Sequence, residues 1–161
     1  MNDLAWLFPW LLFLHVLGAI VAFGPSFAFP FIGAMGGSER EHANFATRVS
    51  YMISRRLVVP IALTMPVTGF GMILVAGLDL SSRAYWWLGI AIVLYVVAIA
   101  FAIGVNWPSI RRVIELTSAP PGPDGPAAEL PGLIARVKRG GQLLAVLIVV
   151  ITFLMVVKPQ F

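Results

Sequence analysis

Charge is scarce in this sequence, and its scarcity limits the class of protein. Charged residues make up 11% of the 161 residues, whereas hydrophobic residues make up 60%. A water-soluble domain of this size carries about a quarter charged residues, because polar groups must cover its surface. The composition therefore excludes an ordinary soluble globule and predicts a single membrane-embedded domain.

Cysteine is absent, and the seven acidic residues lie outside the long apolar stretches. Without cysteine, the chain cannot form disulfides, thiolate-bound metal sites or a cysteine nucleophile. Without acids in the apolar stretches, neither paired carboxylates nor a Ser/His/Asp set can form there. Hydrolytic chemistry inside the membrane is therefore not expected.

Four stretches of the chain are long and predominantly apolar, at about 8–33, 57–78, 84–107 and 137–158. A helix needs about 20 apolar residues to cross the hydrocarbon core of a bilayer. Because lipid offers no hydrogen bonds to the backbone, such segments must be helical. The sequence therefore predicts an all-α fold, an integral membrane four-helix bundle. The prolines at 25 and 30 predict a kink or an early end in the first helix.

The polar segments between the predicted helices differ in character. Residues 39–56 space their apolar side chains as an amphipathic helix at the membrane surface would. Residues 118–132 are rich in proline and glycine, which predicts a flexible linker. Nine of the eleven Lys and Arg residues lie in or beside these two segments. The positive-inside rule then places both segments in the cytoplasm and both termini outside, in a multi-pass protein of a bacterial-type inner (plasma) membrane.

Small residues recur at every fourth position of the first helix, at Gly18, Ala22 and Ser26. This spacing lets another helix approach closely. The neighbour is expected to be a helix of the same bundle, a membrane protein partner or a second copy of the chain. The lipid bilayer is the expected surrounding. Because the basic residues are confined to the membrane edges, the net charge of +4 does not indicate nucleic acid.

His15 is the only ionisable side chain well inside a predicted span, and such residues are usually functional. A neutral imidazole at this depth can ligate haem iron or another metal, or relay protons. The structural alternative is a hydrogen bond to the hydroxyl of Thr68, Tyr95 or Thr152. Met72 lies at a similar depth in the second helix and is a candidate second axial haem ligand, although methionine is also a common filler of apolar cores.

A weakly polar stripe is predicted to line the interior of the bundle. Its members are Thr64, Thr68, Tyr95, Asn106, Gln142 and Thr152. Transport of copper or a small solute would need a polar pathway, and these six side chains would form only a thin one.

Two short motifs carry a resemblance to a known group of membrane proteins. The stretch FLHVLGAIVAFG at 13–24 resembles the first helix of HemJ-type protoporphyrinogen oxidases, with its aromatic-x-His-x-x-Gly pattern. The stretch VVKP at 156–159 is similar to the end of their last helix. The plan also looks like the copper resistance protein D group and uncharacterised relatives, described as predicted integral membrane proteins with domain of unknown function 2269.

The HemJ/CopD-like resemblance implies a four-helix membrane domain and haem b bound through His15. The HemJ-type enzymes also carry a lysine near the start of their third helix, whereas the matching stretch here, WWLGIA at 86–91, has none. The resemblance therefore extends a haem-ligand role to His15 only, and enzyme activity would be at most that of a membrane oxidoreductase.

Three functional hypotheses remain at this point. The first is a haem b-binding redox protein with His15 as axial ligand, in which the cofactor supplies the chemistry. The second is a non-enzymatic accessory or assembly subunit of a membrane complex. The third is transport of copper or a small solute.

Overall fold

Four long apolar helices make up the fold. The computed structural model describes residues 4–118 and 127–159, and regular secondary structure within this part is helical. The helices long and apolar enough to cross a membrane are Ala5–Ser38, Ala43–Ala76, Arg83–Leu116 and Leu130–Val157, here called spans 1 to 4. The predicted all-α fold with four membrane helices is confirmed. Most of the linker predicted at 118–132 lies outside the described residues.

Spans 1 and 4 are each built on one unbroken α-helix. In span 1, a short 3-10 turn precedes the helix Phe8–Ser38, which runs through Pro25 and Pro30 without ending. Each proline removes one backbone donor, but the flanking hydrogen bonds persist because lipid offers the backbone no alternative partner. In span 4, the helix Leu130–Val157 begins before the predicted apolar stretch. Its second and third turns carry Arg136, Lys138 and Arg139, so the helix starts outside the uncharged stretch 140–157.

Spans 2 and 3 are each interrupted by five residues of π-helix. In span 2, α-helix Ala43–Ile53 is followed by π-helix Ser54–Val58 and α-helix Val59–Ala76. Span 3 starts with a 3-10 turn and continues as Trp86–Phe101, Ala102–Asn106 and Trp107–Leu116, of which the middle segment is π-helical.

A tight turn joins spans 2 and 3. Gly77 ends span 2 in the left-handed region at φ 64°, a conformation that favours glycine because it has no Cβ. After it, the Asp79 carboxylate accepts hydrogen bonds from the hydroxyl and the backbone N–H of Ser81, which hold the pKa of Asp79 below its usual value. The Ser82 hydroxyl then accepts from the Ala84 N–H and caps the start of span 3.

The spans alternate in direction, so the molecule has two distinct ends. The terminal end holds the 77–83 turn and the first and last described residues, 4 and 159. The basic end holds the connection between spans 1 and 2, the end of span 3 and the start of span 4. Span 1 packs on spans 2 and 4, and span 3 packs on span 4. Spans 2 and 3 meet mainly at the basic end, where helix Ala43–Ile53 lies against helix Trp107–Leu116. There the Asn44 amide donates to the Ile114 carbonyl at 3.1 Å and to the Thr117 hydroxyl at 2.8 Å.

The outer surface of the bundle is apolar. Only 6% to 22% of the residues in the most apolar windows of the four spans are buried. Large side chains such as Phe31, Leu74 and Val156 are three-quarters exposed. Exposed apolar surface on this scale has lipid as its natural solvent.

Candidate functional site

The interface between spans 1 and 2 contains the residues that the sequence singled out. Leu11, His15, Gly18 and Ala22 follow the spacing of one helix face, and Gly18 and Ala22 are buried. Span 2 presents glycines to the larger side chains of this face. A Cβ at Gly71 would lie 3.2 Å from the Leu11 side chain, and a Cβ at Gly69 would lie 3.3 Å from His15 Cε1.

Across the same interface, a glycine of span 1 also receives a large side chain of span 2. Gly18 of span 1 receives the side chain of Met65, and a Cβ at Gly18 would lie 2.8 Å from the Met65 sulfur. Met65 is buried, so its thioether fills the space between the helices. Ser26, the third residue of the predicted small-residue stripe, is half-buried.

The His15 imidazole is anchored to span 2 through Nδ1. This nitrogen lies 2.8 Å from the Thr68 hydroxyl oxygen, which in turn lies 3.0 Å from the Met65 carbonyl oxygen. A hydroxyl has one proton to give. In one arrangement Thr68 donates that proton to Nδ1; in the other it donates to the Met65 carbonyl, and Nδ1 carries the hydrogen shared with the Thr68 oxygen. Of the three hydroxyls predicted as alternatives, the partner is therefore Thr68.

In the arrangement in which Nδ1 carries the hydrogen, the opposite ring nitrogen, Nε2, is left with a lone pair. The ring is half-buried, and Nε2 has no side-chain partner within residues 4–118 and 127–159. A histidine that holds a metal usually donates its other N–H to an oxygen, which fixes the tautomer and the ring orientation. The His15–Thr68 pair matches this pattern when Nδ1 carries the hydrogen.

Met72 lies one helical turn beyond Thr68 in span 2 and is half-buried. The spacing of four residues places Met72 on the same side of span 2 as Thr68.

The predicted polar stripe is divided between the interior and the surface. Thr68, Tyr95 and Asn106 are half-buried. The remaining members, Thr64, Gln142 and Thr152, are exposed, which corrects their predicted interior placement. The exposed hydroxyl of Thr64 donates to the Ile61 carbonyl of its own helix at 2.7 Å, so this threonine is hydrogen-bonded at the surface without a partner from another span.

Tyr95 has a specific role in joining spans 2 and 3. Its hydroxyl donates to the Ala62 carbonyl. In a regular helix that carbonyl would accept from the N–H of residue 66, but residue 66 is a proline and has no N–H. Tyr95 thus satisfies a carbonyl that the proline leaves free.

A family model described as "Predicted integral membrane protein (DUF2269)" matches residues 9–159. The chain belongs to this family. No curated protein and no solved structure matches the chain. Membership establishes an integral membrane protein, while the further likeness to HemJ-type oxidases and the copper resistance protein D group stays a prediction.

The described residues contain no cluster of three or more metal-ligating side chains of His, Cys, Asp or Glu. The second histidine, His42, is exposed at the basic end, where Nε2 lies 3.4 Å from a Glu41 carboxylate oxygen and 4.0 Å from one of Glu39. Within the described part of the chain, His15 is therefore the histidine placed for a buried ligand.

The sequence interpretation missed two features of the site. The first is the glycine pair at 69 and 71, which makes room for His15 and Leu11. The sequence does carry a sign of this pair, because both glycines closely follow Thr68 in a span otherwise rich in large residues. The second is the pairing of spans 3 and 4 at the basic end, where a Cβ at Gly140 would lie 2.6 Å from the Asn106 amide oxygen. That proximity has no signal in a single sequence.

Proposed function

We propose that this protein is a haem b-binding membrane redox protein, with Nε2 of His15 as an axial ligand. The observation that supports the proposal is the 2.8 Å contact between His15 Nδ1 and the Thr68 hydroxyl oxygen. When Thr68 donates to the Met65 carbonyl, it accepts the Nδ1 proton and leaves the Nε2 lone pair free for a metal. The HemJ/CopD-like resemblance of the first helix points to the same residue.

The surroundings of His15 suit haem chemically. The macrocycle is largely apolar, and the adjacent residues Phe13, Leu14 and Phe70 are apolar and exposed. His15 lies eight residues from Leu7, or about 12 Å of helix rise, so it is within the apolar stretch of span 1 yet near the terminal end. Haem propionates need cations or water, and Arg83 and Lys158 belong to that end.

Each residue has a separate task in this proposal. Bound haem would supply one-electron transfer. Thr68 holds the imidazole in the tautomer that presents Nε2, and Gly69 leaves room for the ring. Met72 is the proposed second axial ligand. Porphyrinogen oxidation is not included, because the lysine of the HemJ-type third helix has no counterpart at 86–91.

The decisive experiment is the absorbance spectrum of the protein expressed with ample haem and purified in detergent. We expect a Soret band that His15→Ala abolishes or sharply reduces while the protein still inserts. His42→Ala is the matched control, because it removes the other histidine and should leave the band unchanged. A colourless wild-type protein would overturn the proposal and leave the accessory-subunit hypothesis ahead.

The Thr68 hydroxyl and the Met72 thioether can be tested with the same spectra. Thr68→Val removes the acceptor of the Nδ1 proton and should lower haem affinity about 10- to 100-fold, whereas Thr68→Ser keeps the acceptor and should retain haem. Met72→Leu should shift the spectrum of the dithionite-reduced protein. Met155→Leu makes the same change in span 4 and should not. Equal haem binding by the valine and serine variants would remove Thr68 from the mechanism.

A further inference from the structure

A groove lies at the basic end of the bundle, between the π-helical segment of span 3 and the first turns of span 4. It has a volume of about 580 Å³. One part of its lining is apolar, with Phe101, Val105 and Leu143, and the other part carries Arg136 and Arg139. The groove is thus apolar and cationic in separate parts.

The two arginines are not neutralised by the described part of the protein. They are three residues apart in span 4 and therefore share a helix face. Neither makes an ion pair within residues 4–118 and 127–159. The nearby carboxylates of Glu115 and Glu129 are instead bound to Arg112, whose Nε lies 2.9 Å from Glu129.

Glycines shape the groove in two different ways. At Gly140 the two helices nearly touch, because a Cβ there would lie 2.6 Å from the Asn106 amide oxygen and 3.3 Å from Phe101. At Gly132 a Cβ would meet nothing within 4 Å. The groove is therefore closed at Gly140 and open at Gly132.

The level of the groove matches the edge of the apolar layer. Arg139 is the last charged residue before the uncharged stretch 140–157. The arginines thus lie where a bilayer has its phosphates, and Leu143 lies one turn further into the layer. Two guanidinium groups at this level, neither in an ion pair with the described residues, complement a phosphate, which arginine can bind in a bidentate manner.

We propose that this groove binds a glycerophospholipid with an anionic headgroup. The phosphate lies between Arg136 and Arg139, and an acyl chain follows the apolar wall of Phe101, Val105 and Leu143. Basic pockets between membrane helices bind anionic lipid headgroups by the same combination of charge and apolar contact. This inference is independent of the proposed haem site, which lies toward the opposite end of the bundle.

The first test measures lipid binding to the full-length protein in detergent by native mass spectrometry. Phosphatidylglycerol should bind more tightly than phosphatidylcholine with the same acyl chains. The double variant Arg136→Gln/Arg139→Gln should weaken phosphatidylglycerol binding about 30-fold, since each arginine near an anionic lipid contributes about 1 kcal/mol. The control Arg55→Gln/Arg56→Gln removes two exposed arginines of span 2 that do not line the groove, and it should change binding less than about threefold. Equal loss in both double variants would overturn the proposal in favour of diffuse attraction.

The second test leaves the charges in place and fills the groove. Gly132→Leu should abolish tight phosphatidylglycerol binding, because the new side chain occupies the open part of the groove. Gly141→Leu is the matched control, since its Cβ also meets nothing within 4 Å and it does not line the groove. Unfolding temperatures without added lipid verify that both variants fold. Normal lipid binding by Gly132→Leu would overturn the proposal. So would full competition by millimolar inorganic phosphate, which would show a simple anion site.

Discussion

At the scale of single residues, glycine determines how closely spans 1 and 2 approach each other. Gly18 faces Met65, while Gly69 and Gly71 face His15 and Leu11. Each large side chain thus packs where the opposite helix has no side chain. Close approach through small residues is the principal source of helix association in a bilayer, because lipid gives no hydrophobic driving force between helices.

Gly18 is therefore predicted to tolerate substitution poorly. Gly18→Leu should lower the free energy of unfolding in detergent by about 1–3 kcal/mol, because its side chain would overlap the Met65 sulfur. Gly24→Leu in the same helix is the control, since its Cβ meets nothing within 4 Å. Gly18→Ala should cost less in a Met65→Ala background than in the wild-type protein. Unchanged stability of Gly18→Leu would show that this face does not pack on span 2.

Helical spacing was enough to predict that His15, Gly18 and Ala22 share one face of span 1. It could not predict which polar residues face inward. Thr64 and Thr68 are four residues apart, and both hydroxyls bond to carbonyls of their own helix. Thr68 has a second partner only because span 1 packs with His15 beside it. That contact depends on helix packing, which cannot be read from one sequence alone.

At the scale of helical elements, the sequence located all four spans but not the irregularities within them. Each π-helical segment is followed by a proline, with one residue between them. Pro60 follows Ser54–Val58, and Pro108 follows Ala102–Asn106. A proline ring clashes with the carbonyl four residues earlier, which in both spans belongs to the π-helical segment. The wider π turn relieves that clash. Pro25 and Pro30 have no such segment before them, so the prolines alone could not predict the difference.

Pro66 determines how spans 2 and 3 are joined. Because it has no N–H, the Ala62 carbonyl is free to accept from the Tyr95 hydroxyl of span 3. Tyr95→Phe should lower the free energy of unfolding by about 0.6–1.7 kcal/mol, the range for hydrogen bonds between membrane helices. In a Pro66→Ala background the same change should cost less, because the N–H of the new alanine can bond to Ala62. A double-mutant cycle measures this coupling. Tyr51→Phe serves as the control, and additive effects of the two substitutions would contradict the explanation.

At the scale of the whole molecule, the two ends of the bundle differ strongly in charge. Nine of the eleven basic residues belong to the basic end, and Arg83 and Lys158 belong to the terminal end. The charge distribution was readable from the sequence, because loop charges need no knowledge of packing. The groove beside Arg136 could not be predicted in this way, since it depends on how spans 3 and 4 pack and on the open space beside Gly132. The same asymmetry predicts how the molecule sits in the membrane.

The positive-inside rule predicts that the basic end faces the cytoplasm and the terminal end faces outward. The chain has no cysteine, so single cysteines can report sidedness without background. With a membrane-impermeant thiol reagent, Leu80→Cys in the exposed turn between spans 2 and 3 should be labelled in intact cells. Ser118→Cys and Gly37→Cys, both exposed at the basic end, should be labelled only after permeabilisation. Agreement between these two sites controls for local accessibility. Labelling of both in intact cells, with Leu80→Cys protected, would mean that the molecule is inverted and that loop charge does not set its orientation.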